Sequence, residues 1–389
     1  MKSTLKRTWA EIDLSALSYN YTRIREHIGD NVKFCGIVKA DAYGHGAVMV
    51  ASTLQSLGAD YLAVSSIDEA MELRYNGITM PILILGHTPR EQVDRLICFN
   101  ITQAVTCEAK AKEYSEEAVK YGGTLKIHIK VDTGMSRLGY ICEGDYFEHG
   151  VDGICYACGL PGLDAEGIFT HFAVADEHDS DSMEYTSHQT RLFKDVIKTV
   201  EDKRACPFKI RHCANTGATC DLKETYLDMV RPGLLLYGYG EFAQKLALKP
   251  VMTMKTTIST IKIYPEGTRI SYGGTFVTDK RTRIGVIPYG YADGFMRCLS
   301  NRYSVMTSAG EAPVRGRICM DMCMIDLTDK PDVGVDDEIE IFGPNNPIEN
   351  MADIAGTIPY EIVCAVSKRV HRVYISEGNV VHSEVMLRM

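Results

Sequence analysis

The sequence predicts an α/β protein, a (β/α)8 barrel of the TIM type followed by a mainly β C-terminal domain. Three observations carry that expectation. Eight short apolar or β-rich runs recur through the first two-thirds of the 389-residue chain. Amphipathic helical patterns fill most of the gaps between them. After about residue 245 the helical period gives way to strand-like runs divided by Gly, Pro and Asp.

The eight runs fall at 32–38, 60–64 (DYLAV), 81–85 (PILIL), 101–105, 125–131 (LKIHIKV), 165–170, 208–212 and about 227–230. Between them, SSIDEAMELRYNG, TCEAKAKEYSEEAVKYGG and SMEYTSHQTRLFKDVIKTV space their apolar residues as helices do. Ser66 followed by Glu69 has the spacing of a capping box. A doubly wound sheet shares this alternation, since sequence does not reveal whether a sheet closes. In the last third, TMKTTISTIKIYPEGTRISYGGTF, TRIGVIPYGYADGF, GEAPVRGRICMDMCMIDL and DEIEIFG read as strands. NMADIAGTIPYEIVCAVS reads as one helix, and KRVHRVYI returns to strand. There is no tandem repeat, low-complexity tract or long linker.

Hydrophobic content of 45% and charged content of 24% are those of an ordinary soluble protein. A net charge of -9 argues against nucleic acid or an anionic membrane as partner. The opening MKSTLKRTWAEIDLSALSYN is too polar for a signal peptide, and no apolar run is long enough to span a bilayer. A cytoplasmic location is therefore expected. The 13 cysteines fit a reducing compartment better than a disulfide framework. Cys155 and Cys158 form an isolated C-x-x-C with no second pair or histidine at finger spacing, so no metal site is expected.

Barrel chemistry collects where strand C-termini open into βα loops. Lys39 ends the first run, and comparable places hold Lys130, Asp132 and Arg137 (KVDTGMSRLG), His171 (GIFTHFAVAD), His212 and Asn215 (RHCANTGA), and Arg231 (VRPGLLLYG). A lysine at a barrel mouth can form a Schiff base with a sugar aldehyde or with pyridoxal phosphate. The second choice needs a phosphate cradle and a partner for the pyridine nitrogen. Thr216, neighbouring backbone N–H groups and Gly233 offer the first, and Arg231 offers the second. The residues alone leave both choices open.

In order, VKADAYGHG, KVDTGMSRLG, THFAVAD, HCANTGA, VRPGLLLYG, YGYADGF, GRICMDMCMID and IPYE closely resemble the signature motifs of bacterial alanine racemase. The similarity runs almost end to end. It implies a pyridoxal 5'-phosphate-binding barrel over 15–244, a β domain over 245–389, and an N-terminal segment, 1–14, that joins the β domain. It also implies a head-to-tail homodimer with shared active sites, acting on a small amino acid. The implied activity is interconversion of L- and D-alanine, supplying D-alanine for peptidoglycan precursors.

Carried over residue by residue, the resemblance makes Lys39 the cofactor's Schiff-base lysine and one catalytic base. Tyr272 of the partner subunit is the other. Tyr43, Thr216, Gly233, Leu234 and Tyr360 match positions around the phosphate, with Leu234 acting through its backbone. Arg231 matches the residue facing the pyridine nitrogen, with His171 as its neighbour. Arg137 matches the group beside the phenolic oxygen that also assists the substrate carboxylate. Lys130 matches a lysine that is carbamylated in many relatives and orients that arginine. Met320, through its N–H, matches a carboxylate-binding position, and Tyr291 and Asp321 match the substrate entrance. Thr216 stands where many relatives carry serine, which keeps the hydroxyl.

The chemistry asks for two bases because one residue cannot easily reach both faces of a planar carbanion. A phenol with an ordinary pKa near 10 needs positive charge nearby to serve as one of them. Arg231 has only donors, so a pyridine nitrogen facing it accepts a hydrogen bond without gaining a full proton. Read from its own sequence neighbours, Lys130 is a strand-end lysine ion-paired with Asp132. Three other functions fit parts of the pattern: a racemase preferring serine, a cofactor-binding protein without turnover, and a basic amino-acid decarboxylase.

Overall fold

The computed structural model describes residues 7–385. It divides into two compact units. One contains residues 21–42 and 47–236; the other contains the described residues up to Asn20, Tyr43–Gly46 and the described residues from Tyr237 on.

The first unit is the barrel. Its eight strands are Lys33–Ile37, Tyr61–Val64, Ile82–Ile84, Ile101–Val105, Leu125–Asp132, Leu163–Phe169, Ile210–His212 and Met229–Val230. Each pairs in parallel with its predecessor through the seventh, and the eighth pairs in parallel with the first. The seventh and eighth are joined by Asp228 N–H to Arg211 O and Arg231 N–H to Ala214 O, both 3.0 Å. The ring is thereby nearly closed, and the doubly wound alternative is set aside. Strands covered on both sides read as unbroken apolar runs, and YLAV, ILI and ITQAV are buried at every position.

Helices separate the strands at the expected places. Ile67–Tyr75 begins at Ser66, whose side chain accepts the Glu69 N–H. The Glu69 carboxylate does not complete the reciprocal capping box; it accepts Ser65 N–H and Ala40 N–H, each at 2.7 Å. Glu108–Tyr121 ends on Gly122 in the left-handed conformation, and Ser180–Arg204 is capped by the Asp179 carboxylate. Among the described residues no helix is long and apolar enough to cross a membrane.

The sixth strand carries a β-bulge. Ile127 of the fifth strand faces Ala165 and His128 faces Gly167, so Glu166 is the extra residue. Gly167 has no room for a side chain, because an added Cβ would lie 2.7 Å from His128 Nε2.

The second unit is mainly β. Its seven-stranded sheet has Thr8–Asp13 inside it, antiparallel to Met252–Thr257 and parallel to His371–Ser376. Of the N-terminal segment expected to join this unit, residues 1–6 lie outside the described residues. A three-stranded sheet (Thr260–Tyr264, Thr282–Ile287, Cys323–Asp326) and a small hairpin (Arg269–Ile270, Phe276–Val277) complete it. The expected single helix at 350–367 is two, Ile348–Ala355 and Pro359–Ala365. Gly356 terminates the first at φ 73°, and Pro359 starts the second at a position that needs no N–H donor.

Candidate active site

Lys39 leaves the first barrel strand where Val38 N–H still reaches Ala63 O at 3.0 Å. The next residues form a left-handed turn, with Ala40, Asp41, Ala42 and Tyr43 at φ 51°, 56°, 51° and 52°. The glycine-containing loop expected here is therefore a mirror-image helical turn, closed by Ala42 N–H to Val38 O at 2.9 Å. Left-handed geometry costs an L-residue about 1–2 kcal/mol, so neighbours must hold it. Glu69 accepts the Ala40 N–H, and Asp41 accepts the Ala47 N–H at 2.8 Å. Gly44 and Gly46 complete the segment at positive φ. In the second unit, the buried Arg372 guanidinium donates to Gly44 O, Val366 O, Ser367 O and Val370 O.

One imidazole in the barrel, His171, lies in the field of several basic side chains. Burial, then Arg231, Lys130, Arg137 and Lys39, push the His171 pKa down to about 2. His171 is thus neutral, and its Nδ1 lies 3.3 Å from Arg231 Nη2 as acceptor. Arg231 is buried after the eighth strand; its Nη2 also donates to Thr170 O and Cys213 O, and its Nη1 to His212 Nδ1 at 2.9 Å. Phe169 is a shared platform. Its ring stacks on His212, with Lys130 Nζ 5.1 Å and the Arg231 guanidinium 5.6 Å from its centre.

Lys130 does not form the ion pair with Asp132 that its sequence neighbours suggest. The Asp132 carboxylate accepts the N–H groups of Gly134, Ser136 and Arg137. It thereby shapes the loop that presents the Arg137 side chain to solvent. Among the described residues, Lys130 Nζ hydrogen-bonds only Val131 O, at 3.3 Å. Burial first, then Arg231 and Arg137, bring its pKa down to about 7 against the pull of Asp132. An open cleft of about 490 Å3 flanks Arg137 and Asp132, and Lys39, His171 and Arg231 do not line it.

The loops after the seventh and eighth strands meet where Gly233 N–H donates to Thr216 Oγ1 at 3.0 Å. Phosphate sites of such barrels favour this pair of loops. Thr216 opens the helix Thr216–Asp221, and Leu234 follows Gly233 into a short 3-10 turn, Leu234–Tyr237. Backbone N–H groups and a hydroxyl, with a guanidinium beyond, are the donor set for an anionic ring compound carrying a phosphate. The residues present fit pyridoxal phosphate. Among the described residues no three His, Cys, Asp or Glu side chains are grouped as a metal ion requires.

The other matched residues lie in the second unit. Tyr43 and Tyr360 have ring centres 5.5 Å apart, and burial, then Tyr360 and Cys364, raise the Tyr43 pKa so that it stays a neutral donor. Tyr272 starts the turn of the small hairpin and is 70% exposed. Ser271, before it, sits at φ 65° and donates its hydroxyl to Arg317 O at 2.6 Å. The same chain segment binds the turn after Gly290, through Tyr291 N–H to Cys319 O and Ala292 N–H to Met320 O. Tyr272, Tyr291 and Met320 are thus set by one loop, and all three side chains are exposed. Asp321 is ion-paired with Arg369 at 2.8 Å.

Sequence patterns did not single out Phe169, His128 or Glu166, and gave Glu69 only a capping role. Nothing local indicated that the Glu69 carboxylate reaches Ala40. Phe169 and His128 look like ordinary members of buried strands.

The chain matches the family models for the alanine racemase N-terminal domain over residues 12–241 and C-terminal domain over 251–374. It is similar to alanine racemase 2 of Caldanaerobacter subterraneus, 43% identical over 98% of both chains. It is also similar to the alanine racemase of Clostridium tetani, 44% identical over 97% of both. The solved alanine racemase of Clostridium difficile 630 superposes with a TM-score of 0.94 at 39% identity, covering 100% of both chains.

Proposed function

We propose, from the premise that the chain belongs to the alanine racemase family, that it interconverts L- and D-alanine through two bases. These are Lys39 and Tyr272 of the partner subunit, with pyridoxal 5'-phosphate as cofactor. The observation that carries the reading is the buried Arg231, bonded to His171 Nδ1 at 3.3 Å, in the same barrel as the Thr216–Gly233 contact between the last two strand-end loops.

When bound, the cofactor would supply an electron-accepting ring conjugated to the substrate Cα, easing loss of its proton. Thr216, the N–H groups of Gly233 and Leu234, and the neutral phenols Tyr43 and Tyr360 would hold the phosphate. Arg231 would donate to the ring nitrogen and keep it from gaining a proton, since guanidinium does not release one near neutrality. His171 accepts from Arg231 and would stay a spectator to proton transfer. Arg137 and the Met320 N–H would hold the substrate carboxylate, with Tyr291 and Asp321 at the entrance. Lys39 would take or return the proton on the D face and Tyr272 on the L face.

The lowered pKa of Lys130 supports carbamylation. Its neutral amine can attack carbon dioxide, forming an N–C bond and releasing a proton, and the resulting anion would brace Arg137. Head-to-tail pairing of two copies is supported by the exposed Tyr272, Tyr291, Met320 and Met322. A division at 1–14, 15–244 and 245–389, a cytoplasmic location and supply of D-alanine to peptidoglycan precursors belong to the same reading.

Purified protein loaded with pyridoxal phosphate should racemise alanine from either enantiomer and elute as a dimer. Serine should be turned over more slowly, although one added hydroxyl is weakly rejected by an apolar pocket. A higher kcat/KM for L-serine than for L-alanine would replace the substrate.

A further inference from the structure

Arg231 has no carboxylate partner among the described residues, although it is buried. A buried cation without compensation is costly, so its countercharge must be carried to it. Because guanidinium can only donate, it fixes the direction of the hydrogen bonds leading away from it. His212 Nδ1 accepts from Arg231, so its proton sits on Nε2, which lies 2.9 Å from His128 Nδ1. His128 must then carry its own proton on Nε2, a buried nitrogen that makes no hydrogen bond among the described residues and faces Glu166 Oε2 at 3.5 Å as a purely electrostatic contact. Tyr61 donates its hydroxyl to the same carboxylate oxygen at 2.8 Å.

Two features of the backbone show that this row of groups is built rather than incidental. Glu166 is the extra residue of the sixth-strand bulge, a device that redirects a side chain. Gly167, beside it, leaves the space that the His128 ring occupies. We propose that Glu166 is the remote countercharge of Arg231, transmitted through His212 and His128 in fixed tautomers, and that these three are positioning residues for the racemase reaction. This rests on the reading that Arg231 faces the cofactor ring.

Both histidines are kept neutral, by burial first and then by Arg231 in the case of His212, while the Glu166 carboxyl is held down at about 2, chiefly by His128. The row therefore polarises without passing a proton. With the carboxylate gone, His212 becomes a weaker acceptor and the guanidinium plane is less firmly held.

The test uses Glu166→Gln, which keeps shape and an acceptor but removes the charge. In the 15N-histidine-labelled holoenzyme, His128 and His212 should both appear neutral with the proton on Nε2. In the variant both N–H signals should move upfield. The value of kcat should fall about tenfold with little change in KM, and Glu166→Asp should recover part of it. A His212 signal unmoved by Glu166→Gln, or a proton on Nδ1 of either ring, overturns the proposal. Shifted signals with unchanged kcat overturn its link to the reaction. Arg231→Lys tests the underlying reading by itself: near-native racemisation there would remove Arg231 from the site, whatever the histidines report.

Discussion

The turn that carries Lys39 and the turn that carries Tyr272 use the same backbone device under opposite conditions. Both depend on positive φ, at Ala40–Gly44 in one and at Ser271, Gly273 and Gly274 in the other. The Lys39 turn is held by two carboxylates of its own unit, Glu69 and Asp41. Tyr272 projects from a two-stranded hairpin with most of its ring in solvent. The turn under the proposed base Lys39 is thus held within one copy of the chain. The exposed Tyr272, as the other proposed base, would take its electrostatic surroundings from a second copy of the chain.

The largest effect should come from Lys39, the half-buried residue proposed as Schiff-base lysine and base. Lys39→Ala should lower racemisation roughly 10³-fold or more and abolish the visible absorbance of covalently held cofactor, with circular dichroism unchanged. Retained covalent cofactor and near-native turnover would transfer the role to another lysine.

Tyr272→Phe should lower turnover in both directions by about 10²–10⁴-fold, because each direction needs both faces. The comparison is sharpened by exchange in D2O, measured before inversion becomes appreciable. D-alanine should still gain α-deuterium through Lys39, and L-alanine should not. Fast exchange of L-alanine alone would exchange the assignments of the two faces.

Lys130 offers a pH test. With its pKa lowered to about 7, the neutral amine that adds carbon dioxide grows as pH rises through neutrality, well below the ordinary lysine range. Carbamate signal from 13C-bicarbonate should therefore increase between about pH 6 and 8. A signal that falls over that range, or never forms, would leave Arg137 unbraced.

The smallest effect should come from Glu69→Gln. One of its two backbone bonds would be weakened, about 1 kcal/mol, equivalent to roughly a fivefold fall in kcat with the hairpin face untouched. A change confined to KM would place the Glu69 contact outside the positioning of Lys39.

Periodicity made the eight barrel strands visible, because strands buried on both faces leave continuous apolar runs. Near-closure of the ring was not visible, since it depends on Asp228 and Arg231 meeting residues near the seventh strand. The handedness at Ala40–Tyr43 was hidden for a physical reason. Alanine favours the right-handed helix, and only neighbours that outweigh that preference, here Glu69 and Asp41, reverse it. The bulge at Glu166 was equally silent, as one residue of register leaves no mark on composition. At 350–367 helical periodicity overrode the warning of Gly356 and Pro359. The motifs named Lys39, Arg231 and His171 but not Phe169, because an aromatic in a buried strand is indistinguishable from packing.

The strand Thr8–Asp13 imposes an order on the birth of the molecule. It lies in the sheet between Met252–Thr257 and His371–Ser376, so a strand made early waits for partners made much later. The barrel can gather its strands one after another as they emerge, each beside its predecessor. The β unit cannot close until almost the whole chain exists, and its early strand must stay unpaired through the wait. Such distant pairing is slow and leaves strand edges open to other chains. Translation interrupted late would therefore leave a formed barrel beside an unclosed sheet, vulnerable to aggregation.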